Sequence, residues 1–597
     1  MSRRRPLTHT LLPLLIAAGG TGVACRDDSE PLEAPQDAVR GAFELDEAAG
    51  RGLHHQNRSG RAEKPTILEA NGPGVALFDL GADGDWDVAT TQGLASVEAF
   101  AAGAGADVAL FENDGHGHFE GTGGPGLSIW GTGLEVGDLD GDGDDDLVVG
   151  AFGDLALLLQ EPGGWRTAPP DAAPLRARFV EGVGPPVGTF ADWVTSLALL
   201  DADRDGALDL YVGRYLDFDP HDPPTGQLGE GALAVPCRWK GAQVFCGPRG
   251  LTAQPDVLWK GDGTGRFTRT EWLAGEVPGF TLAVHAFDAD FDGDCDLYVA
   301  NDSVANTFWI NEVDRTGSFM ELGELAGVAL SPDGAPEAGM GIASGDVNAD
   351  GILDLVVTNF SSEPTHLYLG NDVGFDVATH RLGLGAKTRA FLSWGCHLAD
   401  FDLDGALELF VANGHVYPQA DLEGTGTHYR QADQLFEFVD GKVAESPLST
   451  GALFRDAYGS RGSAVGDLDG DGSLDLVVAT IDGPLRLGLG RREADDRALV
   501  VRLEGTHERS ARDGHGALVL ATDAHQTQVR QCLSGVGYQS ASARDVAFGF
   551  APSEDATLGL LEVRWPSGTI DRISDVRWNR RVVVREGEGL VNQAELR

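Results

Sequence analysis

Short apolar runs recur along the chain, each stopped by an acidic bend and resumed immediately beyond it. "VALFD" ends at Asp79, "LALLD" at Asp201 and "VHAFD" at Asp288, while "DLVVG", "DLYVG", "DLYVA" and "DLVVT" begin at Asp146, Asp209, Asp296 and Asp354. Runs of this length, rich in Val, Leu and Tyr and bounded by Gly and Asp, read as buried strands, so each bend joins two strands of a hairpin. A second hairpin follows in several units. "ALFENDGHGHFEG" (Ala109–Gly121) and "VLWKGDGTGRFTRT" (Val257–Thr270) are strand, Gly-rich turn, strand, with looser versions in "HLYLGNDVGFDV" and "QLFEFVDGKVAE". Two hairpins per unit make four strands, the content of a propeller blade.

The bend itself repeats seven times: "DLGADGDWD" from Asp79, "DLDGDGDDD" from Asp138, "DADRDGALD" from Asp201, "DADFDGDCD" from Asp288, "DVNADGILD" from Asp346, "DFDLDGALE" from Asp400 and "DLDGDGSLD" from Asp467. The starts lie 59, 63, 87, 58, 54 and 67 residues apart. A supersecondary unit at such a period indicates a propeller or solenoid. The expected fold is all-β: a seven-bladed β-propeller over residues 46–494, followed by a small antiparallel β-sandwich domain over 495–597. The long third interval reflects an insertion, Leu216 to Arg249, expected on one face of the disc.

Positions 1, 3, 5 and 9 of the bend carry oxygen side chains, save Gly81 at position 3 of the first, and position 6 is always glycine. Carboxylates this close repel one another by about 4 kcal/mol per pair near a protein surface, and a divalent cation turns that repulsion into attraction. Ca²⁺ takes six to eight hard oxygen ligands in irregular geometry, whereas Mg²⁺ demands a tighter octahedron. The expected ligands are Asp79, Asp83 and Asp87; Asp138, Asp140, Asp142 and Asp146; Asp201, Asp203, Asp205 and Asp209; Asp288, Asp290, Asp292 and Asp296; Asp346, Asn348, Asp350 and Asp354; Asp400, Asp402, Asp404 and Glu408; and Asp467, Asp469, Asp471 and Asp475. That allows up to seven Ca²⁺, one per loop, with the first weakest because Gly81 stands at position 3. A helical EF-hand is excluded. It needs a glutamate at position 12, where this chain has Thr90, Val149, Val212, Val299, Val357, Val411 and Val478.

Charge and cysteines narrow the class. Lys plus Arg number 44 against 93 Asp plus Glu, a net −49, which repels nucleic acid. Residues 1–24 read as an export signal, with a basic head at Arg3-Arg4-Arg5 and an apolar stretch from Leu11 to Ala18. Cys25 after Gly22-Val23-Ala24 resembles a bacterial lipoprotein cleavage site, so lipidation at Cys25 and a linker over 25–45 are expected, in a cell-envelope or secreted protein. In an exported chain, Cys237 and Cys246 of "CRWKGAQVFC" are expected to form a disulfide. Cys295 and Cys396 read as small buried residues, with a pair as the alternative, and Cys532 is unassigned.

At this point the sequence resembles a known family. The loops resemble the FG-GAP/VCBS repeats of integrin α-subunit propellers. "FDADFDGDCDLYVANDS", "CRWKGAQVFCGPRGL", "MGIASGDVNADGILDLVVTNFSSEPTHLYLGN" and "SRGSAVGDLDGDGSLDLVV" resemble the cartilage acidic protein family more closely, from about Phe43 to the C-terminus. From Arg497 onward 13 basic and 13 acidic residues balance, and the alternating "LEVRWPSG" reads as a strand. "SGVGYQSAS" (Ser534–Ser542) and "EVRWPSGTID" (Glu562–Asp571) resemble the ASPIC/UnbV domain. The resemblance implies an exported calcium-binding scaffold or adhesion module whose partner is a surface protein or glycan. The alternative is a calcium-dependent lectin using tryptophans such as Trp130, Trp193, Trp394 and Trp578.

An enzyme is disfavoured, with no catalytic residue assigned. The chain has no nucleophile elbow, no His-Glu-x-x-His and no phosphate loop. His285, His397 and His415 are the residues with which a pocket would be lined, and Arg249 and Arg461 are expected to salt-bridge the acidic loops.

Overall fold

The apolar runs flanking each bend pair as antiparallel hairpins in the computed structural model, which describes residues 43, 48, 50–161, 164–166, 192–228, 235–507, 509–552 and 555–597. The expected leader, Cys25 and all of the linker but Phe43 lie outside the described residues. No helix among those described is long and apolar enough to cross a membrane.

In every repeat, a lead strand runs into position 1 of the bend and the second strand starts at position 9. The lead strands are Val75–Phe78, Trp130–Gly137, Val194–Leu200, Thr281–Phe287, Gly339–Gly345, Ser393–Ala399 and Ser460–Gly466. Their partners are Asp87–Thr90, Asp146–Phe152, Asp209–Arg214, Asp296–Asn301, Asp354–Asn359, Glu408–Asn413 and Asp475–Thr480. Six sheets add a third and a fourth strand in sequence order, and the seventh has three described strands. Each lead strand packs on the next, and the seventh returns to the first, so the sheets close a ring.

Glycine makes that approach possible: a Cβ on Gly341 would meet Trp394 O at 2.0 Å. Valine and leucine at position 12 and around it fill the space between neighbouring sheets. Val356 and Leu367 of the fifth, for example, pack with Leu409, Val411 and Phe436 of the sixth. The chain ahead of the first sheet is stitched to the last: Gln56 bridges Pro484, Asn57 N donates to Gly483 O at 2.9 Å, and buried Lys64 pairs with Asp482.

The C-terminal residues form two four-stranded sheets around one apolar core of Leu499, Val501, Phe548, Leu561, Val563 and Trp565. Their pairing is antiparallel except between Arg497–Glu504 and Arg580–Arg585, which run parallel. These sheets do not stand apart from the ring, since Val39–Arg597 is one compact unit. The segment from Ser534 to Ala543 enters the ring and bonds to its lead strands. Gly537 exchanges hydrogen bonds with Ile342 (2.7 and 3.1 Å) and Ala541 with Val75 and Leu77 (3.1 and 3.0 Å). Leu134 N donates to Gln539 O at 3.1 Å and Ala543 N to Val465 O at 3.0 Å. A lead strand is the edge of its sheet, and its open N–H and C=O groups need partners when buried; this segment supplies backbone partners to the first, second, fifth and seventh lead strands. Tyr538, fully buried, packs on Trp394 at 4.7 Å.

Candidate metal centres

The bends share one hydrogen-bonding scheme. In the second, the Gly141 and Gly143 amides donate to the two oxygens of Asp138 (2.8 and 3.1 Å). The Leu139 and Gln160 amides donate to the two oxygens of Asp146, both at 2.9 Å. Position 1 therefore caps the turn, and position 9 latches it to the third strand. The latch recurs at Asp87, Asp209, Asp296, Asp354 and Asp475. Position 6 has φ of +88 to +99° at Gly84, Gly143, Gly206, Gly293, Gly351, Gly405 and Gly472, the left-handed region where glycine carries no steric penalty.

Five bends gather three carboxylates with ligand atoms within 4.8 Å of one another. Positions 1, 3 and 9 converge in four of them: Asp138, Asp140 and Asp146; Asp201, Asp203 and Asp209; Asp288, Asp290 and Asp296; and Asp467, Asp469 and Asp475. In the sixth bend the group is Asp400, Asp402 and Asp404, positions 1, 3 and 5. Its Glu408 at position 9 lies outside the group, although its Oε2 accepts the Phe401 amide at 2.8 Å as Asp146 accepts that of Leu139. Asp142, Asp205, Asp292 and Asp471 at position 5 stand outside these groups. So do Asp79, Asp83 and Asp87 of the first bend and Asp346, Asn348, Asp350 and Asp354 of the fifth.

The donor sets suit a hard cation: all ligand atoms are oxygens, and Asp203 keeps Oδ1 buried without a hydrogen bond among the described residues. Burial drives the position-1 and position-9 carboxyls upward, to about 7 for Asp138, Asp201 and Asp288 and about 8 for Asp146. A divalent cation opposes that shift by favouring the ionised form.

The chain's own cations also reach the bends, a feature that only the three-dimensional arrangement reveals. Lys260 pairs with Asp203 and Asp205, and Arg204 with Asp292 and Asp294. From the C-terminal sheets, Arg502 lies 3.5 Å from Asp79 and donates to Gly84 O, as does Arg581 (3.3 and 3.1 Å). Arg544 pairs with Asp145, and Arg581 with Asp467 at 3.3 Å. The balanced charge from Arg497 onward is thus distributed so that arginines face the acidic bends. Between the first two bends and these arginines lies a polar cavity of about 690 Å³.

The remaining residues singled out in the sequence take structural positions. His285 and His397 border a cavity of about 140 Å³ between the ring and the C-terminal sheets. They bond to Ser344 and Ser463, and burial lowers both to a pKa of about 4. His415 is buried elsewhere against Ser361. Arg461 does not meet an acidic loop. It is fully buried, donates to Ala70 O, Asn71 O and Gly414 O, and stacks 4.3 Å from Trp394. Arg249 likewise sits beside Asp302 and Glu363, at the strand ends away from the bends. Trp130, Trp193 and Trp394 are core side chains, and Trp578 packs against the C-terminal core. Cys237 and Cys246 are disulfide-bonded, while Cys295, Cys396 and Cys532 are free and buried.

A model of the FG-GAP-like repeat matches residues 96–149, 288–357, 346–411 and 400–478, and one of the ASPIC and UnbV domain matches 505–591. The last three repeat matches run from position 1 of one bend to position 12 of the next. Cartilage acidic protein 1 of Xenopus tropicalis is 28% identical over 46% of this chain and 40% of its own length. The Homo sapiens protein of that name is 28% identical over 62% of this chain and 50% of its own. The chain thus spans about half the length, or less, of these relatives. Among solved structures, an Agrocybe aegerita lectin recognising non-reducing terminal N-acetylglucosamine aligns with TM-score 0.35 and 13% identity, over 64% of this chain and 82% of the lectin. BBS1N in complex with ARL6DN aligns with 0.38 and 11%, over 76% and 99%.

Proposed function

Starting from a chain that carries FG-GAP-like repeats and an ASPIC and UnbV domain, and that is similar to cartilage acidic proteins, we propose an exported, seven-bladed, calcium-binding β-propeller acting as a surface binding or scaffold module. The observation that carries the reading is the repeated convergence of three carboxylates within five bends, at positions 1, 3 and 9 in four of them and at 1, 3 and 5 in the sixth. Asp138, Asp140 and Asp146 hold one ion, with the corresponding residues holding the others. Each ion contributes charge that keeps a bend closed, and its binding free energy becomes folding free energy.

The first bend is neutralised from within. Gly81 offers no ligand at position 3, and Arg502 and Arg581 already bring two guanidiniums to Asp79 and Gly84 O. The fifth has the neutral Asn348, whose Nδ2 donates to Asp350. Five bends with a gathered carboxylate trio set the expected count at about five ions. The face of the disc away from the C-terminal sheets is left to meet an extracellular partner, and a leader ending before Cys25 delivers the chain to the envelope.

Native mass spectrometry with metal analysis of the secreted chain tests this. The expected result is about five Ca²⁺ per chain, falling by one in Asp140→Asn. A chain that carries none at millimolar calcium, or that keeps its full complement in Asp140→Asn, overturns the assignment.

A further inference from the structure

A second site lies at the opposite strand ends. Each lead strand enters its bend and the second strand leaves it, so residues just after the second strands and just before the lead strands gather on the face away from the acidic loops. There, Tyr215, Asp302, Phe360 and Tyr417 follow second strands, while Asn71 and Trp394 precede or begin lead strands. Together they surround a cavity of about 410 Å³, within the range of small-molecule sites. The disulfide-bonded insertion roofs it with Trp239 and Phe245, whose rings pack 5.8 and 4.7 Å from that of Tyr417.

The polar groups of the cavity specify what it takes. Asn71, 4% exposed, holds Nδ2 buried with no hydrogen-bond partner among the described residues, a donor awaiting an acceptor. Glu363 uses Oε2 to accept the Ala338 amide at 2.9 Å and lines the same cavity, where Oε1 can accept a further hydrogen bond. Asp302 is held in place by Tyr215 Oη at 2.6 Å and Ser303 Oγ at 2.8 Å, and Arg249 offsets part of the negative charge. An organic cation would satisfy Glu363 and leave Asn71 Nδ2 unmet. An anion would satisfy Asn71 and, unlike a hydroxyl, offers no donor to Glu363. A hydroxyl both donates and accepts, and a ring bearing hydroxyls on its edge and C–H groups on its faces suits an aromatic wall.

We propose that this cavity is a binding site for an uncharged pyranose, a mono- or disaccharide, using Asn71 and Glu363 for hydroxyl recognition and Trp239 and Tyr417 as the apolar wall. The site is independent of the acidic bends and of the calcium reading above.

The test uses the full secreted chain in calcium, titrated with methyl glucoside, methyl galactoside, methyl mannoside, N-acetylglucosamine and cellobiose. Glucuronate and choline serve as charged probes. Tryptophan fluorescence and saturation-transfer NMR read binding. At least one uncharged sugar is expected to bind with Kd of about 1 mM or tighter, and glucuronate and choline are not. Trp239→Ala and Glu363→Gln, each with unchanged circular dichroism, should weaken it by about tenfold or more, whereas Trp578→Ala should not. The proposal fails if no sugar of the panel binds or if choline binds in place of sugar. It also fails if both variants bind like the parent, or if binding disappears in Asp140→Asn while Trp239→Ala retains it.

Discussion

Arg502 shows how much one side chain can decide. Its guanidinium reaches Asp545 at 2.8 Å and Asp79 at 3.5 Å and lies 5.0 Å from the Trp86 ring. The sequence identifies Gly81 as the weak point of the first bend, and the expectation of a poor metal site follows from that one residue. It could not identify the replacement cation, because Arg502 lies more than 400 residues away and nothing local marks it as a partner. Arg502→Ala should lower stability by about 3 kcal/mol, because it strips buried Asp545 of its nearest counter-ion, and calcium stoichiometry should stay unchanged. Denaturant unfolding beside metal analysis checks both. Gain of an additional ion in the variant would mean that the first bend is a metal site held closed by the arginine.

At the scale of the bend, the sequence pattern was legible because turn chemistry is local. Alternate aspartates, the position-6 glycine and the following apolar run all act within about a dozen residues. The convergence of positions 1, 3 and 9 was less legible, since position 9 belongs to the second strand and its direction is set by the latch to the third. Burial holds the Asp138 carboxyl near 7 and the Asp146 and Asp87 carboxyls near 8, above the ordinary 3.8. A folded-state pKa above the unfolded value means the folded chain binds more protons in between. Stability from these groups is present at low pH and lost as pH rises through about 7–8. The chelated protein should therefore melt at a higher temperature at pH 5 than at pH 8. The calcium-loaded protein should show the opposite order, because the metal needs ionised carboxylates and outcompetes protons only at the higher pH. Differential scanning calorimetry at the two pH values, with calcium and with chelator, reads the two signs directly. The same sign under both conditions would separate the bends from the metal.

On the scale of the whole molecule, the repeat period indicated a ring, and the alternating C-terminal runs indicated a separate sandwich. Their union could not be read from the chain. "SGVGYQSAS" carries no periodicity, and its role depends on edges that exist only once the ring has formed. In the structure, Ser534–Ala543 pairs with backbone groups on the inner edges of four lead strands, at Val75 and Leu77, Leu134, Ile342 and Val465. Glu135, buried with Ser534 as its side-chain partner, would otherwise face an open channel. Tyr538 anchors this arrangement, being fully buried against Trp394 with its hydroxyl 3.4 Å from Asn71 O. Its removal leaves a cavity where the Ser534–Ala543 segment enters the ring, so Tyr538→Ala should cost about 3–5 kcal/mol. The loss should not stay local. Hydrogen exchange should accelerate in Val75–Phe78 and Gly339–Gly345, whose amides pair with this segment, and not in the third strands, whose partners lie within their own sheets. Acceleration confined to residues 534–543 would mean that the ring closes without its C-terminal insert, and that the two parts merely touch.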